Sequence, residues 1–174
     1  YKRQVLFQEI ITKDQNVLLG GTEPSLGILI FNESGASKLN YSTESDKGTE
    51  PFGGFCQNLD GETFITFTFF GSLFFENLTL ESNGGTDIAV LKYNESGWVW
   101  MQQGGGTGND MTTGCVAGHE SDVVIFGGIE GNATFGQYFT ETSRWLDGVQ
   151  ATISTDGAWK AVSTEGGIGY EMFS

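Results

Sequence analysis

Two prolines, two cysteines, one histidine and eight basic residues are a short supply for 174 positions, and each scarcity excludes something. Proline this rare beside 27 glycines rules out a Pro-rich linker and a collagen-like repeat. Eight Lys and Arg against 22 Asp and Glu leave a formal charge of −14, which repels phosphate backbones and anionic lipid head groups. Nucleic-acid partners are therefore not expected. No apolar run approaches the ~20 residues of a membrane helix, so membrane insertion is not expected either.

The single histidine, His119, stands in a polar turn with Glu120 and Asp122. A metal centre would want further His or Cys ligands and a general base would want a cleft, so it reads as a solvated turn residue. No Gly-x-Ser-x-Gly elbow, His-Glu-x-x-His pair or phosphate-cradling loop occurs, and nothing singles out a glycosidase-like pair among the 22 acids. The expectation is a protein without catalytic residues, metal or cofactor. The chain starts at Tyr1 without Met and reads as a mature or trimmed product, so the missing signal peptide carries no information.

What is present is glycine together with Thr, Val, Ile and 14 Phe, the mixture that many short strands and tight turns require. The length suits one domain, residues 1–174, able to bury a core. Its organising stretch is Asp87–Gly106. An alternating run (Ile88, Val90, Leu91, Tyr93) meets the turn Asn94-Glu95-Ser96-Gly97, and Trp98, Val99, Trp100 and Met101 return from it. This is a hairpin, with Gly97 supplying the positive φ of the reversal. Gly27–Lys38 and Gly148–Val162 repeat it, with turn glycines Gly35, Gly97 and Gly157.

Aligning the three copies divides the chain into units of about 60 residues: 1–48, 49–106, 107–167, and the start of a fourth at 168–174. Each unit opens on a small apolar strand (Val5–Thr12, Gly53–Leu59, Thr113–Gly118). A second strand follows (Val17–Gly21, Thr63–Gly71, Val123–Gly128), and the hairpin then supplies strands three and four. The connection between strands two and three is long in the later units (Ser72–Thr86, Ile129–Asp147) and short in the first (Thr22–Leu26). Four antiparallel strands at such a period predict an all-β, propeller-like array of four-stranded sheets.

The residues Leu80, Ser82, Gly84, Gly85, Asp87, Ile88, Val90, Lys92, Gly97 and Trp100 carry a resemblance. So do Phe135, Gly136, Asp147, Gly148, Val149, Asp156, Gly157 and Trp159 in the third unit. Residues 50–167 resemble the bacterial-type β-propeller repeat family of secreted and surface proteins, and the first unit does so in outline. Departures are the missing Gly-Gly before Asp147 and Ser25 in place of the Asp. The resemblance implies a fold and leaves function open, since propellers host unrelated activities. Three units fall short of the 4–8 blades that close a ring. Assembly of several copies, an open stack, or a longer parent protein are the alternatives, and in the first two the tail Gly169–Ser174 is a strand free to join a neighbour's sheet edge.

Five Asn-X-Ser/Thr sequons, at Asn32, Asn40, Asn77, Asn94 and Asn132, use five of the nine asparagines. With 31 Ser and Thr in 174 residues, chance would place about 1.6, so the density favours N-linked glycans and a secretory route. Asp87 and Asp147, each ten residues before a turn glycine, read as loop-pinning hydrogen-bond acceptors in preference to a carboxylate ring for Ca²⁺ or catalysis. Cys56 and Cys115 occupy equivalent places in successive units. A disulfide is one reading; two small buried hydrophobes is the other, because equivalent points on neighbouring blades usually lie beyond the ~7 Å Cα limit. Trp98, Trp100 and Trp159 read as packing between sheets before they read as a sugar-stacking platform.

Together these features predict an extracellular or cell-surface N-glycosylated structural protein of a surface layer, fibre or appendage. Its partners would be itself or other surface proteins, with head-to-tail self-assembly through the terminal strand. The alternative is a carbohydrate- or protein-binding propeller fragment of a larger secreted protein. A secreted hydrolase stands behind both.

Overall fold

The structure, a computed structural model, describes residues 6–14, 24–31, 37–42, 44–45, 49–75, 77–94, 96–118, 122–142 and 146–166, with side chains from residue 53 onward, Phe75 excepted. Every described element is a strand. In order they are β1 (Leu6–Asp14), β2 (Pro24–Phe31), β3 (Ser37–Ser42), β4 (Glu44–Ser45), β5 (Thr49–Gln57), β6 (Thr63–Phe75) and β7 (Leu78–Asn94). The series continues with β8 (Gly97–Gly106), β9 (Met111–Ala117), β10 (Asp122–Glu130), β11 (Ala133–Phe135), β12 (Tyr138–Thr140), β13 (Leu146–Ser154) and β14 (Trp159–Glu165).

The strands form three antiparallel sheets: β1-β2-β3, then β12-β11-β8-β7-β6-β4 with β5 also on β6, then β14-β13-β10-β9. The all-β, antiparallel expectation is met, and the turn glycines Gly97 and Gly157 take φ of +119° and +90°. The meander expected for the second unit is β5-β6-β7-β8, and that for the third is β9-β10-β13-β14. Strand counts of three, seven and four are nevertheless not a uniform set of four.

Two departures account for the counts. First, the long connections are themselves strands. In the second unit β6 and β7 run on past Phe70 into a paired extension, Ser72 to Phe75 against Glu81 to Leu78. In the third, β11 and β12 form a short hairpin that leaves its own sheet and pairs with β8, Phe135 opposite Gly104. Phe135 lies so close over Gly104 that a Cβ there would overlap its ring. Second, β1 bonds directly to β2, the place that β6 and β10 hold in the later units, so it is not the opening strand expected at Val5–Thr12. The strand expected at Val17–Gly21 lies outside the described residues.

The middle sheet is buried on both faces. Successive side chains of a strand point to opposite sides, so β6 and β7 each feed two cores. On one side, here the front, Ile65, Phe67, Phe69, Leu73, Ala89, Leu91, Tyr93 and Met101 pack with Trp98. On the back, Phe64, Ile88 and Val90 meet Val123, Ile125, Val149, Ala151, Ile153 and Trp159 of the third unit. Register makes Ile125, Val149, Ala151 and Ile153 the counterparts of Ile65, Ala89, Leu91 and Tyr93. The back of one unit is therefore packed against the front of the next.

Candidate functional site

Three polar features stand out on this frame: a buried carboxyl pair, a disulfide between units, and sequon tips on the rims.

Asp87 opens the buried half of β7 and is fully buried. Its Oδ2 accepts from the Asn83 N–H (2.9 Å), Asn83 Nδ2 (3.0 Å) and Gln103 Nε2 (3.3 Å), which pins the turn before the strand. Its Oδ1 accepts no hydrogen bond. Asp110, equally buried, follows β8 and was not singled out in the sequence. Its N–H donates to the Thr86 carbonyl at 2.7 Å. Its two oxygens accept from the N–H groups of Gly106 (2.6 Å) and Glu130 (2.8 Å), so it ties β8 to β10. Glu130 in turn accepts from the N–H and side chain of Asn109 at 3.0 and 2.9 Å.

Gly105 lies between the two acids. A Cβ on it would sit 2.5 Å from Asp87 Oδ1 and 2.8 Å from Asp110 Oδ2, and its φ of +150° is one that L side chains rarely adopt. Burial raises the Asp87 carboxyl to about 7, with the neighbouring Asp110 charge adding to the rise. Burial likewise raises Asp110 to about 6, with Glu130 adding. The described ion pairs, Lys92–Glu62 and Lys160–Asp122, involve neither acid. Both shifts come first from burial, which disfavours the charged form of each carboxyl. Among the described residues no cluster of three or more His, Cys, Asp or Glu is arranged to hold a metal ion.

Asp147 is buried at the corresponding point of the third unit. Its carboxyl lies where a Cβ on Gly166 would go, as Asp87 lies against Gly105. The two expected aspartates therefore serve separate units and do not converge. His119 lies outside the described residues.

Cys56 and Cys115 are joined in a disulfide with Cα atoms 5.7 Å apart. The expected obstacle, equivalent points held apart, fails because the two are not equivalent in register. Cys56 pairs with back-facing Phe64, whereas Cys115 pairs with front-facing Ile125. The one-residue slip comes from their spacing, 59 residues where the paired strands repeat at 60, so that Cys56 holds the register place of Val116 and Cys115 that of Phe55. Close approach is possible where Gly54 meets Gly114, whose Cα is 3.2 Å from where a Gly54 Cβ would stand.

The three indoles are packed. Trp98 meets Tyr93 edge-on at 5.0 Å, and Trp159 meets Phe135 likewise at 5.0 Å. Trp100 donates its Nε1–H to the Thr155 carbonyl at 3.0 Å and lies under the Gly157 turn, 3.2 Å from where a Cβ would be. Buried Lys92 donates to the same carbonyl at 2.5 Å and pairs with Glu62 at 2.7 Å. The β13–β14 turn is thus latched onto the back of the middle sheet.

Of the sequons, Asn77 and Asn132 are exposed at turns, and Asn94 is half-buried at the β7–β8 tip, its Oδ1 accepting from the Ser96 N–H at 2.9 Å. Asn77 precedes β7 and Asn94 ends it, so the two lie at opposite ends of its pairing with the 13-residue β6. Asn40 lies on β3 and its side chain is outside the described set; Asn32 lies outside the described residues. No protein-family model matches the chain, and no curated protein is similar to it.

Proposed function

We propose that this chain is a non-enzymatic, N-glycosylated structural protein of an extracellular layer, fibre or appendage, built from propeller-like units that stack back to front and assemble with further copies of themselves. The observation that carries the reading is the packing order at the junction of the second and third units, the back of the middle sheet against the front of the next, with a disulfide and a lysine latch across it. Such an arrangement extends by addition, because each unit presents one face to its predecessor and one to its successor. Sequon tips at Asn77, Asn94 and Asn132 leave the sheet faces clear and place any glycan on the rims. The disulfide suits an oxidising compartment.

The test combines two readings on material from a glycosylating host. A mass decrease on deglycosylation, together with a light-scattering mass that grows with concentration, is the expected result. An unshifted mass would remove the argument for compartment, and a fixed single-chain mass would remove assembly. The sugar- or protein-binding fragment remains the second reading. It would gain from glycan-array binding lost on Trp98→Ala, but all three indoles are committed to packing.

A further inference from the structure

Among the described residues the exposed phenylalanines are Phe55, Phe74 and Phe139, and the last two share a setting. Phe74 is 46 % exposed and Phe139 is 56 % exposed, although each is held in a paired strand. Register sets Phe74 opposite Thr79 and Phe139 opposite Thr134. Both threonines are exposed, and both close a sequon, Asn77-Leu78-Thr79 and Asn132-Ala133-Thr134. The order along the chain differs, because Phe74 comes three residues before its asparagine and Phe139 seven after. In register, the triad of asparagine, threonine and cross-strand phenylalanine is the same.

A ring left in water gains free energy when an apolar surface covers it, and the asparagine is what stands within reach. Side chains two apart on a strand share a face, so Asn132 and Thr134 lie on the side of Phe139, with Asn132 on the diagonal at about 7–8 Å. The Thr142 hydroxyl donates to the Gly131 carbonyl at 2.7 Å, which keeps this hairpin closed past Asn132. Asn77 stands in the tip between the paired Phe75 and Leu78, and the Phe74–Thr79 pair comes next behind it. The first sugar of an N-linked chain is an N-acetylhexosamine. Its axial C–H groups make one face of the ring apolar, and that face suits the electron-rich face of a phenyl ring. The described sequons that end in serine lack such a ring. Ser42 faces Gly27, and Tyr93 and Trp98 beside Asn94 are turned into the front core.

We propose that Phe74 and Phe139 are platforms on which the first N-acetylhexosamine of the glycans at Asn77 and Asn132 lies flat. This rests on the glycosylation in the reading above and names what holds the sugar. Both platforms sit on the long connections between strands two and three, the β6–β7 extension and the β11–β12 hairpin. Those insertions are thereby glycan carriers. The seated sugar covers the ring, braces the strand pair beneath it and sets the direction in which the rest of the glycan leaves the rim.

The experiment uses the full chain from a host that attaches high-mannose glycans, with glycopeptide mass spectrometry to read occupancy and thermal melts to read the contact. One sample is trimmed to the first sugar by an endoglycosidase, and another is stripped completely by an amidase. The expected result is occupancy at Asn77 and Asn132, little change in Tm on trimming, and a loss of about 2–4 °C per site once the first sugar goes. That is the size of one aromatic contact in a chain of this length. Phe74→Leu and Phe139→Leu should each reduce the loss by one site's share. Phe55→Leu, whose ring stands opposite Ile65 and no sequon, should leave it in place. In the unmutated chain, NMR should show the ring protons of both first sugars shifted upfield by the phenyl rings. Occupied sites with no upfield shift, whose stripping costs the same with and without the two rings, would overturn the platforms and leave glycosylation standing. Unoccupied Asn77 and Asn132 would overturn both.

Discussion

Replacing Lys92 by methionine tests the junction between units at one atom. The Nζ of Lys92 is the donor to Thr155 and the partner of Glu62, with its side chain 7 % exposed. Methionine keeps the length of the stem and its packing near Phe64, whose ring centre lies 5.8 Å from the nitrogen. Only the charge and its donors are removed. Breaking a fully buried pair from one side costs about 3–5 kcal/mol, because the remaining charge is left without compensation. Glu62 is 24 % exposed, so water recovers part of that, and Thr155 keeps the Trp100 donor. We expect a loss of about 2–3 kcal/mol, or roughly 5–10 °C in Tm for a chain of this size. Urea denaturation followed by tryptophan fluorescence reads it directly. Glu62→Gln in the Lys92→Met background should cost less than in the wild type, with a coupling of about 1–2 kcal/mol. A Lys92→Met protein within 0.5 kcal/mol of wild type, or strictly additive variants, would refute the latch.

Three further outcomes follow from the same geometry. Cys56→Ser with Cys115→Ser should cost about 4 kcal/mol by the loop-closure relation for a separation of 59 residues, seen as a lower denaturant midpoint under non-reducing conditions. Acidification should stabilise the fold through Asp87 and Asp110. Their folded values, about 7 and about 6, exceed the ordinary 3.8, so the contribution is complete below about pH 4 and is lost as pH rises through 6 to 7. Thermal melts from pH 4.5 to 8 should show Tm falling over that interval, and Asp110→Asn should flatten the slope; an equal slope in the variant would contradict the assignment. Trp159→Ala, which empties the site against Phe135, should cost about 3–5 kcal/mol.

Much of the middle of the chain was legible because its signals are local. The alternation of Ile88, Val90 and Leu91 about a turn glycine fixes β7 and β8, and the 60-residue spacing to Gly157 fixes their counterparts. Asp87 and Asp147 were legible as loop anchors for the same reason. Three things were not. The place of β1 depends on which strand it pairs with, and pairing partners leave no trace in spacing. The disulfide depends on a one-residue offset, a Cys56–Cys115 spacing of 59 against the repeat of 60, which reverses the face a side chain points to and was read as equivalence. Asp110 is not a repeated aspartate, since the positions 60 residues earlier and later are Glu50 and Tyr170, so alignment of the units passed over it. Its one signal was its setting behind Gly104-Gly105-Gly106 and Gly108, where backbone N–H groups are accessible to a carboxylate.

Stacking back to front is the core of the account, and electron microscopy of the natively glycosylated chain across a concentration series tests it most directly. The account predicts rows that lengthen with concentration. Discrete particles of single-chain size at every concentration would contradict it.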